Sequence, residues 1–148
     1  MLYKNPQICE LDCMQLSYAL KLNELGIEYI GKRSMIVAGG HMNDGIPRNA
    51  LSIIHGDEAN INGGVNPART LFLRMGVCAI CGHLHRRSEQ QESTADGKTI
   101  STWSMGCLCG RWPDYAAINK WTTGFADVEV DGEQFVVHNH SIINGRVF

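Results

Sequence analysis

The 148-residue sequence lacks any apolar run near the length of about 20 residues that a membrane-spanning helix needs. Its first residues, Met-Leu-Tyr-Lys-Asn-Pro, lack the apolar segment of a secretory signal. No internal repeat, linker or low-complexity segment is visible. These absences predict a single domain over residues 1–148, long enough to bury a core and without a membrane partner.

The sequence also lacks an excess of basic charge, since its formal net charge is −2. Bulk electrostatic attraction to nucleic acid is therefore not indicated, although a nucleic acid substrate is compatible with the sequence. Local arginines could still meet a phosphate group, but each arginine taken singly is better explained as part of a solvated surface. The net charge excludes no other class of function.

Proline is scarce, but cysteine is not, and its placement bears on the cellular compartment. The six cysteines are Cys9, Cys13, Cys78, Cys81, Cys107 and Cys109. Several lie inside apolar runs, which is typical of reduced, buried thiols and predicts a cytoplasmic protein. An alternative is a structural zinc site whose four ligands come from Cys78, Cys81, Cys107, Cys109 and the histidines. An offset of three places Cys78 and Cys81 on opposite faces of a strand, so we expect the cysteines not to bind zinc.

Hydrophobic periodicity and turn residues predict a mixed α/β chain. The predicted elements are a helix at 8–25, strands at 27–30 and 35–38, a loop at 39–49, a strand at 51–54, a helix from Pro67 to about Met75, a strand at 77–81, and β-hairpins centred on Asp96-Gly97 and Asp131-Gly132. A last turn at Asn144-Gly145 leads into 146–148. The strand–helix–strand order at 51–81 predicts two parallel neighbouring strands.

Histidines follow both strands of this unit. His55 comes directly after 51–54, and Gly82-His83-Leu84-His85 comes directly after 77–81. In open α/β sheets, ligands bind beyond the carboxyl ends of the strands. An extended His-x-His would project both rings to one side, and neutral imidazole is the commonest metal ligand among side chains. We therefore expect His55, His83 and His85 to converge on a metal site.

These motifs resemble the C-terminal half of the calcineurin-like metallophosphoesterases, especially the small phage-type members. The shared order is strand-His-Gly-Asp, helix, strand-Gly-His-x-His, and the segments 106–110 and 124–128 look like the family's closing segments. The resemblance implies an α/β fold that forms the C-terminal portion of a four-layer α/β/β/α sandwich.

By this resemblance, the function is metal-dependent hydrolysis of phosphoesters, as a phosphatase or a phosphodiesterase. Two divalent ions are implied, with manganese, iron, zinc or nickel as candidates. His55 and His83 would bind one ion and His85 the other. Asp57 and Gly82 would support these ligands, and Arg86 and Arg111 are candidates to contact the phosphate.

The sequence departs from the family because it contains no Asp-x-His and no Gly-Asp-x-x-Asp. Its nearest approach to Gly-Asn-His is Gly39-Gly40-His41, which lies too close before His55 and is interpreted as a loop. No catalytic residue is therefore assigned, and we expect that a separate chain supplies the N-terminal half. A non-catalytic role as an interaction or complementing half-domain is the other open interpretation. A second His-x-His, at His138-Asn139-His140, is interpreted as a strand surface without chemistry.

Overall fold

A computed structural model describes residues 15–29, 36–43, 46–61 and 64–148. The chain divides into two compact units, residues 1–34 and 35–148. In the first unit, helix α1 spans Leu16–Ala19 and gives way to turns that end at Gly26. The predicted helix is wrong after Ala19, because Lys21 takes a left-handed φ of 52° that breaks the helical path. Its residues 8–14 lie outside the described residues.

The strand predicted at 27–30 is also wrong over 27–29, which pair with no described strand, and Ile30 lies outside the described residues. The loop predicted at 39–49 instead contains two short antiparallel strands, β2 at His41–Asn43 and β3 at Ile46–Arg48. The overlooked signal is the Asp-Gly pair between them, which is the sequence signature of a two-residue hairpin loop.

The main sheet of the second unit has five strands in the order β1-β4-β5-β7-β6. Their bounds are β1 Ile36–Ala38, β4 Leu51–Ile54, β5 Ala79–Cys81, β6 Ser88–Ser93 and β7 Thr99–Ser104. The central strands β4, β5 and β7 are parallel, and the outer strands β1 and β6 are antiparallel to their neighbours. The α/β class is thus confirmed, with a mixed sheet.

Helix α2, Pro67–Met75, lies between β4 and β5 in the chain, as predicted. Asn66 caps its first turn by accepting a hydrogen bond from the Arg69 amide, and Gly76 ends it with a left-handed φ of 62°. The buried Thr102 hydroxyl of β7 donates to the Ala68 carbonyl at 2.7 Å, which ties the helix to the sheet. The core between them contains Ile54, Ile61, Leu71, Ala79 and Cys81.

A second sheet, β10-β9-β8, follows the irregular segment after β7, which contains a short 3₁₀ helix at Asp114–Ala116. Its strands are β8 Gly124–Asp131, β9 Gln134–Ile143 and β10 Arg146–Val147, all antiparallel to their neighbours. Both predicted turns, at 131–132 and 144–145, lie where the sequence places them. In the part of the chain that the structure describes, no helix has the length and apolar content needed to cross a membrane.

Candidate metal centre

Three parallel strands deliver their following residues to one edge of the main sheet. His55 follows β4, Gly82 follows β5, and Met105 follows β7. Backbone hydrogen bonds continue the pairing past the strand ends, since the Gly82 amide donates to the His55 carbonyl and the Met105 amide donates to the Cys81 carbonyl, both at 2.9 Å. This edge is where α/β sheets bind ligands, and the third strand reaches it as well as the two that the sequence predicted.

The structure brings His55 and His83 together. The His83 Nδ1 atom lies 3.1 Å from the His55 Nε2 atom, and the two exposed rings meet edge to face at 4.9 Å between centroids. Two imidazole nitrogens that bind one ion at about 2.0–2.1 Å are about 2.9–3.4 Å apart in tetrahedral or octahedral geometry. This separation lies within the range for two ligands of one divalent ion, and it is also a hydrogen-bond distance, with the donor set by which ring nitrogen carries the proton.

The Gly-His-x-His segment is not extended, so the basis given for the convergence of His83 and His85 is wrong. His83 and His85 have left-handed φ angles of 59° and 54°, and the Leu84 amide donates to the Gly82 carbonyl at 2.6 Å across a tight turn. The turn lets the Leu84 side chain pack against the core, whereas both imidazole rings lie outside the core. Such φ angles are unfavourable for histidine by about 1–2 kcal/mol each, and backbone strain of this kind clusters at functional sites.

Gly56 is the glycine that the close contact between the loop after β4 and His83 requires. Gly56 has a φ of 125°, and a Cβ atom placed on it would lie 3.0 Å from the His83 Cβ and 3.5 Å from the Cys81 Cβ. A Cβ on Gly82 would meet its neighbours only at 3.6 Å or more. Gly82 acts through its amide, whereas Gly56 allows the loop after β4 to lie directly on His83.

The Glu58 carboxylate lies near His55, and Asp57, the acid predicted to support the ligands, is exposed. The Gly56 amide donates to the Glu58 carboxylate at 2.7 Å. Burial opposes ionisation of Glu58, but this hydrogen bond and the nearby His55 outweigh it and lower the pKa of the Glu58 carboxyl. An ionised carboxylate therefore stands next to the imidazole pair. The sequence could not show which of the two acids contacts the Gly56 amide, because the turn at 57–60 determines the positions of both side chains.

His85 lies among different neighbours. Its ring packs edge-on against Trp121 at 4.3 Å between centroids, and its Nδ1 atom is 4.0 Å from the Cys109 sulfur. Burial, followed by the charges of His83 and His55, lowers the pKa of the His85 imidazole. The neutral ring, which is the form that binds metals, is favoured as a result.

The two candidate phosphate-binding arginines are both engaged. The Arg86 guanidinium donates to the carbonyls of Gly64 and Val65 at 2.7 and 2.8 Å, which makes it a brace for the loop before α2. Arg111 is exposed and lies over the Trp112 ring at 4.4 Å. Arg111 thus remains the more accessible of the two guanidinium groups.

The four-cysteine zinc set is not assembled. Burial raises the pKa of the Cys81 thiol to about 11 within the core, and the Cys78 thiol contacts the Thr99 carbonyl and the Ser101 amide. Among the described residues, the only sulfur-containing group close enough for one ion is His85, Cys107 and Cys109. The sequence offered Cys107, Cys109 and the histidines among the possible zinc ligands, but it did not predict that β7 is parallel to β5 and ends at the same edge.

No protein-family model matches the chain, and no curated protein matches it. Crystal structures of a single and a double mutant of Vps29 from Entamoeba histolytica are similar in fold, with 14% and 12% identity and TM-scores of 0.47 and 0.48. The matches cover 82% and 79% of this chain but 61% and 57% of the Vps29 chains, so this chain spans about three fifths of their length. At these values, the likeness carries no argument about function.

Proposed function

We propose that this chain binds a divalent metal ion through His55 and His83 and serves metal-dependent hydrolysis of phosphoesters, as its resemblance to calcineurin-like phosphoesterases implies. The observation that carries the proposal is the 3.1 Å separation between His55 Nε2 and His83 Nδ1 at the ligand-binding edge of the sheet. A divalent ion held there would supply Lewis acidity and positive charge toward phosphoryl oxygens.

The chain's own groups have separable tasks in this proposal. His55 and His83 hold the ion, and the hydrogen bond from the Gly82 amide fixes the backbone of His55 relative to the turn. Glu58 places negative charge beside His55, which offsets the charge of a bound cation. Arg111, on the exposed segment after Cys109, is available to a phosphate that approaches from solvent.

Turnover by this chain alone is expected to be poor. Neutral histidines cannot supply the anion that bridges two cations in the family, and the sequence contains none of the motifs that carry the family's leaving-group acid. Such an acid typically contributes about 10²–10⁴-fold in rate. We propose that a second polypeptide supplies these groups, so a generic substrate such as bis-p-nitrophenyl phosphate should be hydrolysed efficiently only in its presence.

A non-catalytic complementing module is the second candidate, and the edge strand β1 favours it. In the described sheet, β1 pairs on one side only, with β4, and its Ile36 and Val37 side chains are exposed. An exposed apolar edge strand is a template for strand addition by another chain. A purely non-catalytic module would bind its partner and still give no phosphodiester turnover in the complex.

The test is manganese binding, measured by electron paramagnetic resonance on the full chain. Wild-type protein should bind one ion at this pair, and His83→Asn should weaken binding at least tenfold, because one of two protein ligands is replaced. Asparagine is chosen because it tolerates a left-handed backbone better than alanine. His138→Asn alters a separate group that also lies close enough for one ion, Asp127, Glu129 and His138, and should leave binding at the His55–His83 pair unchanged. Equal binding by wild type and His83→Asn would overturn the proposal.

A further inference from the structure

A second group of metal-binding side chains lies at the same sheet edge. One ligand atom each from His85, Cys107 and Cys109 lies within 4.8 Å of the other two, and the His85 Nδ1–Cys109 Sγ distance is 4.0 Å. Cys107 is buried, with 7% of its surface exposed, whereas Cys109 is exposed. Because the sulfurs belong to a Cys-x-Cys segment, one residue separates the two potential thiolates.

Backbone pairing holds this group in place. The Cys107 amide donates to the Thr122 carbonyl at 2.9 Å, and the Gly124 amide donates to the Cys107 carbonyl at 3.1 Å. The Thr122 amide in turn donates to the His85 carbonyl at 2.8 Å. A Cβ on Gly106 would lie 2.7 Å from the Thr122 carbonyl oxygen, so only glycine permits this approach. The segment that carries the thiols is therefore fixed relative to His85.

The spacing fits a tetrahedral thiophilic cation. Zinc binds sulfur at about 2.3 Å and imidazole nitrogen at about 2.0–2.1 Å, which requires ligand atoms about 3.6–3.8 Å apart. The longest separation present, at most 4.8 Å, needs a contraction of about 1 Å. A rotamer change of the exposed Cys109 side chain can supply it. Two thiolates also neutralise a divalent charge, which the neutral His55–His83 pair cannot do.

We propose that His85, Cys107 and Cys109 form a binding site for a thiophilic divalent cation of the zinc class, with one coordination position left for a further ligand. The site uses none of the atoms of the His55–His83 pair and does not depend on any hydrolytic activity. This proposal replaces the expectation that the cysteines bind no zinc, and it does so only for Cys107 and Cys109.

Cobalt(II) titration of the reduced, metal-free full chain tests this proposal, because thiolate-bound cobalt gives a near-ultraviolet charge-transfer band. Wild type should develop the band and saturate at about one equivalent. Cys109→Ser and His85→Asn should each weaken cobalt binding at this site at least tenfold. Both variants are expected to fold, because Cys109 is exposed and asparagine tolerates the left-handed φ of residue 85. Circular dichroism checks the fold of each.

Cys78→Ser is the matched control, since its thiol lies outside the group, and it should titrate like wild type. His83→Asn should weaken manganese binding at least tenfold yet keep the thiolate band, which separates this proposal from the proposed function. Absence of the band in wild type would overturn the proposal. A wild-type cobalt affinity in either Cys109→Ser or His85→Asn, or the loss of the band in His83→Asn, would also overturn it.

Discussion

The chain contains two His-x-His segments, which differ in backbone conformation and in the neighbours of their rings. His83 and His85 follow the end of a parallel strand, with left-handed φ angles, and their rings contact different neighbours. His138 and His140 lie inside the regular antiparallel strand β9, where their rings stack at 6.1 Å between centroids with 20° between planes. The same three-residue pattern thus gives a strained pair at a sheet edge and a relaxed pair on a sheet face.

Their charged neighbours differ as well. His138 lies 3.5 Å from the Glu129 carboxylate and His140 lies 2.6 Å from the Asp127 carboxylate, so each imidazole on β9 has its own acid across the hairpin. His83 instead faces a second histidine. The two neighbouring imidazoles offer only nitrogen ligands, whereas Asp127, Glu129 and His138 also lie close enough together for one cation and offer two carboxylates. The comparison teaches that backbone placement, rather than the motif, decides the neighbours of each histidine, which are a second imidazole at the sheet edge and carboxylates on the sheet face.

Gly56→Ala is expected to have the largest effect, because it would displace His83 from its left-handed backbone conformation. The new methyl would contact the His83 Cβ at 3.0 Å and would require a φ of 125°, which L residues rarely adopt. We expect the free energy of unfolding to fall by about 2–3 kcal/mol and manganese affinity to fall at least tenfold. Urea denaturation and manganese titration measure the two effects.

Gly132→Ala is the control for Gly56→Ala, because Gly132 turns the hairpin that carries the relaxed pair. Its φ is 59°, and a Cβ there would meet nothing within 4 Å. Only the backbone cost of about 1–2 kcal/mol is expected, with manganese affinity unchanged. If Gly56→Ala proved no more disruptive to metal binding than Gly132→Ala, the close contact between the β4 loop and His83 would not matter.

The difference in stability between a glycine and an alanine variant is a smaller effect, and it should have opposite signs in the two segments. His83→Gly should be more stable than His83→Ala by about 1 kcal/mol, because glycine adopts a φ of 59° without strain. His138→Gly should be less stable than His138→Ala by about 0.5–1 kcal/mol, because glycine weakens a strand interior. Each comparison removes the same imidazole, so only the backbone setting differs. The same sign at both positions would show that residue 83 is not strained.

Much of the second unit follows from local sequence signals. The caps of helix α2, the β6–β7 and β8–β9 hairpins and the strand before His55 are all marked by turn residues or hydrophobic runs. The first unit was less predictable. Apolar spacing around Leu22 and Leu25 favoured a continuous helix, but Lys21 turns the backbone into the left-handed region. Periodicity reports which positions suit a helix and contains no information about where a single residue leaves it.

The candidate site was only partly predictable for a similar reason. Strand ends placed His55 and His83 at one edge, because parallel strands share their carboxyl ends. The contribution of Gly56, the choice of Glu58 and the neighbours of His85 depend on long-range contacts. Cys107 in particular reaches the edge because β7 pairs in parallel with β5, a pairing that connects distant parts of the chain. No local pattern in the sequence specifies that register.

Anomalous diffraction from crystals of the full chain grown with manganese tests the central claim most directly. An anomalous manganese peak is expected at about 2.0–2.3 Å from both the His55 Nε2 and the His83 Nδ1 atoms. A map with no density between His55 and His83 at saturating manganese, or with its peak at the β9 pair instead, would contradict the account.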